Sequence, residues 1–279
     1  MNTHFTLYSG GEKTDGQWPV YPLLEPPVGI FETMRVYQGK IFRKEEHLRR
    51  FYESCKSSGF TNPPSGKLLE KELNQSFAAH LKENSDARKA ACLLIRLAVY
   101  GKRLVIMIGN RNYPASFFQN GIRLKTANVL KSAVNAWPAE VKTAAYQNMV
   151  MAGLSGGCPE TEDRLILDRN GYVTEVRTGN IFIVKDGRLR TPPADGILNG
   201  VTRMFVIECA RIERISVEET LLTRHDIFNA DEAFLTNTSW EILPVRELDG
   251  RRTGRTLPGP VTLQLERTFK RRVQAECRP

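Results

Sequence analysis

Long apolar runs are missing from this sequence. No segment approaches the length of about 18 apolar residues that a membrane-spanning helix needs. The first residues, MNTHFTLYSGGEK, also lack the basic and then apolar layout of a signal peptide. These two absences predict a cytoplasmic protein with no membrane partner.

Paired cysteines and clustered histidines are missing as well. The 5 cysteines are an odd number, and no two of them stand in a C-x-x-C pattern, which argues against a disulfide framework. Cys55, Cys92 and Cys209 fall in apolar patterns and are predicted to be core residues. The 4 histidines are scattered, so no metal site is predicted.

Charge is abundant and unbalanced, with 40 Lys and Arg against 31 Asp and Glu and a net charge of +9. A nucleic-acid partner is one interpretation. The densest basic clusters, at 251–255 and 270–272, have no interleaved aromatic residues and no known nucleic-acid motif. We therefore predict no nucleic-acid partner, and a basic surface that favours small anionic substrates.

Length and patterning predict an α/β (α+β) chain of two domains. The 279 residues suit one large or two moderate domains. We place a small N-terminal α/β domain at 1–114 and a C-terminal domain at 115–279, with a linker near 110–116. Residues 1–29 are rich in Gly and Pro, which predicts irregular structure with one short strand.

The N-terminal half contains two notable cations. A helix is predicted over 45–58, and Arg50 flanks its apolar side, where it reads either as a surface arginine or as an anion clamp. Arg96 lies within the apolar run 90–99, where a charge is costly unless it is paired or used. The buried stripe of the predicted helix is expected to be Leu48, Phe51, Tyr52 and Cys55.

The stretch 164–203 reads as strands and turns that end in a Gly-led entry to a helix. A single carboxylate, Glu175, ends the apolar strand 171–175, and Asn199–Thr202 opens a helix over 201–212 in a way suited to phosphate. Each feature alone is ordinary, and from their spacing alone a site for a flat, cationic, phosphorylated ligand is the minority interpretation. The inner face of that helix is expected to be Met204, Phe205, Cys209 and Ile212.

Several motifs follow one another from Gly29 onward, and their order is far more specific than any one of them. They are GIFETMRVYQGKIF with EEHLRRF, LLIRL, KTAAYQNMVMA, RLILDRNGYVTEVRTGNIFIVKDGRLRTPPADGILNGVTR, ADEAFLTNTSWEILPVRELDGR and GPVT. The chain thereby resembles the fold type IV pyridoxal-phosphate enzymes, the class IV aminotransferases. This family includes branched-chain aminotransferases, D-amino acid aminotransferases and 4-amino-4-deoxychorismate lyases. The resemblance implies a D-amino acid aminotransferase-like fold, with a larger C-terminal domain that contains a mixed, barrel-like sheet and helices.

The resemblance implies pyridoxal 5′-phosphate as the cofactor and assigns residues to it. Lys142 would form the Schiff base with the cofactor aldehyde and shuttle the proton between Cα and C4′. Glu175 would pair with the pyridine nitrogen and keep the ring protonated. Arg50 and the Thr238 hydroxyl would contact the phosphate. The remaining implied cofactor contacts are Asn180, Gly200 and the backbone N–H groups of Val201 and Thr202.

The resemblance further implies substrate contacts and a homodimer. Phe31, Arg35 and Arg96 stand on the matching strands of the first domain, and Ser239 stands in the matching turn. Arg177 replaces a usual small residue and reads either as an anion-binding group or, slightly favoured, as a solvent-facing one. The function implied is transfer of an amino group between an amino acid and a 2-oxo acid.

Substrate identity remains open at this level. Ala98–Gly101 departs from the Thr-Arg-Gly site of the D-specific enzymes, and GPVT resembles the branched-chain subgroup, so a branched-chain-like donor is favoured. The alternative is 4-amino-4-deoxychorismate lyase, which releases pyruvate and 4-aminobenzoate with the same cofactor motifs. A non-catalytic binding relative is the third alternative, and the presence of both Lys142 and Glu175 argues against it.

Overall fold

The chain forms two compact units. The structure is a computed structural model, and it describes residues 3–9, 12–14, 29–84, 92–131, 138–144, 152 and 161–278. Unit 1 comprises Met1–Asn112, Val141–Ala145 and Val273–Pro279, and unit 2 comprises Tyr113–Glu140 and Tyr146–Arg272. Both units combine strands with helices, which confirms the predicted α/β (α+β) class. Each unit is made of more than one segment of the chain, and the linker near 110–116 stays a prediction.

Unit 1 contains an antiparallel sheet and two helices. Its strands are β1 (Thr3–Ser9), β2 (Glu12–Thr14), β3 (Gly29–Tyr37), β4 (Lys40–Ile41), β5 (Leu93–Tyr100) and β6 (Arg103–Arg111), and its helices are α1 (Lys44–Ser57) and α2 (Gly66–Glu83). The strand order is β2-β1-β6-β5-β3-β4, and every neighbouring pair is antiparallel. Helix α1 packs against β3, and α2 packs against β6.

The expectation of one short strand in residues 1–29 was wrong, because both β1 and β2 form there. β1 pairs with β6 in a continuous register from Thr3 to Tyr8, since its residues carry no Gly or Pro to interrupt a ladder. The Gly- and Pro-rich part of this region falls mostly outside the described residues.

The predicted buried stripe of α1 was half right. Phe51 and Cys55 are buried, but the other buried positions of the helix are His47 and Ser54, while Leu48 and Tyr52 are only half-buried. The physical reason lies on the strand beneath: β3 buries the carboxylate of Glu32, so the helix turns polar groups inward to meet it.

Unit 2 contains a mixed sheet. Its strands are β7 (Ile122–Leu130), β8 (Glu162–Leu167), β9 (Val173–Val176), β10 (Asn180–Lys185), β11 (Arg188–Thr191), β12 (Val217–Glu219), β13 (Glu232–Asn237), β14 (Glu241–Leu248) and β15 (Arg251–Arg252). The order is β12-β11-β10-β13-β14-β7-β8-β9, with β15 beside β14. The pairs β7–β8, β7–β14 and β11–β12 are parallel and the others are antiparallel.

Four helices accompany this sheet in the part of the chain that the structure describes. They are α3 (Ala115–Asn120), α4 (Val201–Ile212), α5 (Arg224–Phe228) and α6 (Pro260–Glu276), whose last residues, from Val273, belong to unit 1. α4 has the predicted bounds, but its predicted inner face was partly wrong, because Ile212 is 54% exposed and Arg203 is buried instead. No helix among the described residues is both long and apolar enough to cross a membrane.

The start of α6 is held by one buried acid. Glu232 accepts hydrogen bonds from the backbone N–H groups of Val261 (2.8 Å) and Thr262 (2.7 Å) and from the Thr262 hydroxyl (2.6 Å). Gly259 precedes the helix, and a Cβ added there would lie 2.1 Å from Glu232 Cδ. The GPVT sequence thus lets a carboxylate approach the positive end of the helix closely.

The predicted core cysteines Cys55, Cys92 and Cys209 are confirmed as buried. The predicted loop and helix around 140–154 lie mostly outside the described residues, as does Cys158.

Candidate functional site

Lys142 is fixed by its backbone within unit 1. Its carbonyl accepts the N–H of Phe31 (3.1 Å), and its own N–H donates to the hydroxyl of Ser54 (3.1 Å). The neighbouring N–H of Ala144 and the hydroxyl of Thr143 both donate to the carbonyl of Gly29, at 2.7 and 3.0 Å. A short bridge to β3 and a bond to α1 therefore hold the lysine, although its flanking chain belongs to unit 2.

Two cations meet the ring of Phe31. Lys142 Nζ lies 4.7 Å from the ring centroid, and Arg96 Cζ lies 4.4 Å from it. Arg96 is exposed on β5 opposite Thr33, so it is not embedded in the apolar run as its sequence position suggested. Arg35 lies on the same face of β3 as Phe31, with its guanidinium 4.8 Å from the ring of Tyr37. The predicted substrate residues of this unit therefore share one face of the sheet.

Arg50 lies in a buried polar cluster. Its Nε and Nη2 atoms donate to the two oxygens of Glu32, each at 2.7 Å, and His47 Nδ1 lies 2.8 Å from Glu32 Oε2. Burial by itself would raise the pKa of Glu32, but Arg50 and the bond from His47 hold that pKa well below its usual range. An ionised Glu32 can only accept, so Nδ1 of His47 carries the proton of that hydrogen bond.

His47 is held neutral by the same cluster. Burial lowers the pKa of His47, and the nearby charges of Arg50 and Lys142 lower it further, against a partial rise from Glu32. Sequence patterning missed Glu32, although it stands at a buried position of β3 alongside Ile30 and Met34.

Glu175 is the buried acid of unit 2 that was assigned to the cofactor ring. Its side chain on β9 is buried and forms an ion pair with Lys131, which follows β7. The second carboxylate oxygen accepts the N–H of Leu198 (3.3 Å). Sequence reasoning missed Lys131, because a lysine after a strand carries no distinctive pattern.

The loop just before α4 bonds to Glu175 and so links this acid to the start of the helix. Leu198 donates to Glu175 and accepts a bond from the Asn180 side-chain amide (2.8 Å), and Gly200 is the N-cap of the helix. A Cβ at Gly200 would lie 2.3 Å from Asn180 Oδ1, so the close approach requires glycine. Glycine has no side chain that could accept a hydrogen bond, so the first backbone N–H groups, at Val201 and Thr202, have no side-chain acceptor at the N-cap.

The turn after β13 is shaped by Asn237. Its Oδ1 accepts the N–H groups of Ser239 and Trp240, both at 2.9 Å, and the Ser239 hydroxyl at 3.2 Å. The Tyr113 hydroxyl donates to Ser239 Oγ (3.0 Å). Thr238 is half-buried at the tip of this turn, and the hydroxyl and N–H of Ser239 serve the turn itself.

Arg177 pairs with a buried acid, while 35% of its side chain stays exposed to solvent. Its Nε atom lies 3.3 Å from Oδ1 of the buried Asp163, whose other oxygen accepts the Thr178 hydroxyl at 2.8 Å. Burial raises the pKa of Asp163, with Thr178 and Arg177 opposing the rise. Arg177 is therefore a partner of a buried acid within unit 2.

The residues present fit a phosphorylated pyridine cofactor. A buried carboxylate suits a protonated ring nitrogen, and a helix start at a glycine that a Cβ would fill suits a phosphate. The two features lie on one connected scaffold, since Leu198 links them.

Comparison with known proteins gives the family. The sequence model of the family Amino-transferase class IV matches residues 29–248. A putative branched-chain-amino-acid aminotransferase of Methanocaldococcus jannaschii is 35% identical over 252 residues, which cover 87% of this chain and 86% of that protein. The D-alanine aminotransferase of Bacillus licheniformis is 28% identical over 260 residues, with 89% and 88% covered.

Solved structures agree. The T.th. branched-chain amino acid aminotransferase complexed with N-(5′-phosphopyridoxyl)-L-glutamate superposes with a TM-score of 0.83 at 26% identity, and the match covers 98% of this chain and 95% of that one. The chain belongs to the class IV aminotransferases. It is a pyridoxal-phosphate-dependent aminotransferase, as the sequence resemblance predicted.

Proposed function

We propose that this enzyme moves an amino group between a branched-chain-like amino acid and a 2-oxo acid. The observation that carries the proposal is the connected scaffold of Glu175, Leu198 and the glycine-led start of α4. The names of its relatives support the choice of a branched-chain donor.

We assign the cofactor contacts as follows. Glu175 holds the proton on the ring nitrogen, and the N–H groups of Val201 and Thr202 bind the phosphate, with Gly200 and Asn180 shaping the cradle. Arg50 and the Thr238 hydroxyl are further phosphate ligands. Glu32 and His47 then hold Arg50 in one orientation.

When bound, the cofactor would supply an electron-withdrawing ring as the sink for the electron pair of the donor's Cα–H bond. Lys142 would anchor the cofactor through Nζ at rest, and once the donor amine has replaced Nζ on the cofactor, the freed lysine amine would accept that proton. Its backbone bonds to Phe31 and Ser54 limit how far the amine can move.

Phe31 provides an apolar wall next to this amine, which suits an aliphatic donor side chain. Arg96 and Arg35 on the same sheet face supply positive charge for carboxylates. Ser239 contributes through the shape of its turn, since Asn237 and Tyr113 engage its polar atoms. A homodimer and a cytoplasmic location remain part of the proposal.

A donor screen tests the proposed specificity. Purified enzyme is supplied with 2-oxoglutarate and either enantiomer of each candidate amino acid, and glutamate is measured. We expect the highest kcat/KM with L-leucine, L-isoleucine or L-valine. Preference for a D-amino acid would overturn the proposed substrate, and pyruvate release from aminodeoxychorismate without any transamination would assign the lyase reaction instead.

Lys142→Ala provides the matched test of the anchor. We expect the variant to lose the visible absorbance of the bound cofactor and essentially all turnover, whereas Lys125→Ala, an exposed lysine on β7, leaves both unchanged. Retention of the absorbance in Lys142→Ala would remove the lysine from its role.

A further inference from the structure

Arg203 is the largest fully buried side chain of the described residues, and none of the contacts assigned above uses it. It lies in the first turn of α4, where a positive charge opposes the helix dipole. A buried guanidinium costs free energy unless its hydrogen bonds are satisfied, and its Nε atom has no partner among the described residues. Its presence therefore needs a reason other than the stability of the helix.

The contacts of Arg203 point to the loop before the helix. Its Nη2 atom donates to the carbonyl of Pro192 (2.8 Å), at the beginning of that loop, and its Nη1 donates to Asn199 Oδ1 (3.1 Å), at its end. Glu219, on β12, accepts from Nη2 at 2.6 Å. One planar fork thus closes the loop 192–199 at both ends and ties it to the edge of the sheet.

The loop closed by Arg203 contains Leu198, whose backbone reaches two of the assigned cofactor residues. Leu198 donates its N–H to Glu175 and accepts the Asn180 amide with its carbonyl, and three residues later α4 begins. The distance between the partner of the ring nitrogen and the cradle of the phosphate therefore depends on the conformation of this loop.

We propose that Arg203 is a positioning residue for the cofactor: by clamping loop 192–199 it sets the spacing between Glu175 and the first turn of α4. This inference rests on the proposed cofactor contacts. Arg203 itself touches neither Glu175 nor the N–H groups of Val201 and Thr202, and it acts through Pro192 and Asn199.

The test measures the dissociation constant of pyridoxal 5′-phosphate by equilibrium dialysis, together with the absorbance of the bound form. Arg203→Met is expected to weaken binding roughly ten- to a hundredfold, the usual effect of losing a residue that orients direct ligands. Arg211→Met, in the exposed last turn of the same helix, is the matched control and is expected to change binding less than about twofold.

Arg203→Lys separates positioning from charge. Lysine keeps the positive charge but cannot bond to both Pro192 and Asn199 with one planar group. We therefore expect Arg203→Lys to weaken cofactor binding nearly as much as Arg203→Met does. Wild-type affinity in Arg203→Lys would show that only the charge matters and would overturn the proposal.

Asn199→Ala completes a double-mutant cycle. If Arg203 acts through the loop, the loss in Arg203→Lys/Asn199→Ala is smaller than the product of the two single losses, and a simple product contradicts the proposal. If Arg203→Met fails to fold, the lysine and alanine variants still decide the question. If the wild-type protein binds no pyridoxal 5′-phosphate, the proposed function is refuted. If the wild-type protein binds the cofactor and Arg203→Lys binds it with the same affinity, only the role of Arg203 is refuted.

Discussion

Glu32 shows how one residue can reorganise its surroundings. It occupies an inward position of β3, where its neighbours Ile30, Met34 and Val36 are apolar and buried. A buried carboxylate must find donors, and it finds them in Arg50 and His47 of α1. The alternation of β3 could have identified Glu32 in advance, since an acid at a core position of a strand demands a partner.

The buried histidine of this cluster makes folding sensitive to acid. The pKa of His47 in the folded chain lies below its value of 6.5 in the unfolded chain, so the unfolded state binds the proton first. Stability is therefore complete above about pH 6.5 and falls below it, by at most about 1.4 kcal/mol per pH unit. The lowered pKa of Glu32 adds a second loss below about pH 4.5.

His47→Gln tests this sensitivity through urea unfolding at pH 7.5 and pH 5.5. The amide retains a donor for Glu32 but does not titrate, so the difference in unfolding free energy between the two pH values should shrink. His225→Gln, at an exposed position of α5, should leave the difference unchanged. An equal difference in wild type and His47→Gln would contradict the pKa assignment.

Glu175→Gln tests the acid of unit 2 at the same scale. An amide still fills the space beside Lys131 and Leu198, so cofactor should bind within about tenfold of wild type, but a neutral acceptor no longer holds the ring proton. We expect turnover to fall by a factor of about 100 or more. Asp186→Asn, in an exposed turn, is the control, and near-normal turnover of Glu175→Gln would end its assignment.

Helices and strands were more predictable in their bounds than in their orientation. The sequence predicted α4 with its correct limits, because Gly200 and the apolar run after it are local signals. It misassigned Ile212 and overlooked Arg203, because a buried arginine is explained only by groups distant in sequence, such as Pro192 and Glu219. Periodicity locates an element, and tertiary partners decide which side faces inward.

The start of α6 offers a test at the scale of one element. In Gly259→Ala the new Cβ would lie 2.1 Å from Glu232 Cδ, so either the helix or the acid must shift. We expect a loss of about 1 to 3 kcal/mol in the free energy of unfolding, measured with urea.

Gly66→Ala is the matched control, because the nearest atom to its Cβ would be Tyr52 Oη at 4.0 Å and alanine favours the helix α2. It should be neutral or stabilising by less than about 1 kcal/mol. Equal losses in the two variants would show that the close approach of Glu232 does not matter.

At the scale of the whole molecule, the excess of 40 basic over 31 acidic residues should act on anionic substrates. Raising the ionic strength from about 0.05 to 0.5 M screens such attraction, so kcat/KM should fall for a dianionic 2-oxo acid more steeply than for a zwitterionic amino acid. Steady-state kinetics in both half-reactions measure the two slopes. Parallel slopes would show that the net charge does not guide substrates.

Fold class and cofactor could be predicted from the order of motifs, whereas the assignment of Lys142 to a unit could not. The chain up to Glu140 and from Tyr146 onward belongs to unit 2, but the short segment that carries the lysine bonds to Gly29 and Phe31 of β3. Sequence patterning describes neighbours along the chain and cannot reveal a bridge of this length.

That bridge has a consequence for the order of folding. The strand that receives Lys142 is synthesised more than a hundred residues earlier, so on the ribosome β3 and α1 emerge well before the lysine does. The segment Val141–Ala145 can dock only as a late, long-range closure, whose entropy the finished sheet must overcome. Lys142 therefore takes its position only after β3 and α1 have folded. A chain that misfolds in its first hundred residues cannot place the lysine amine correctly.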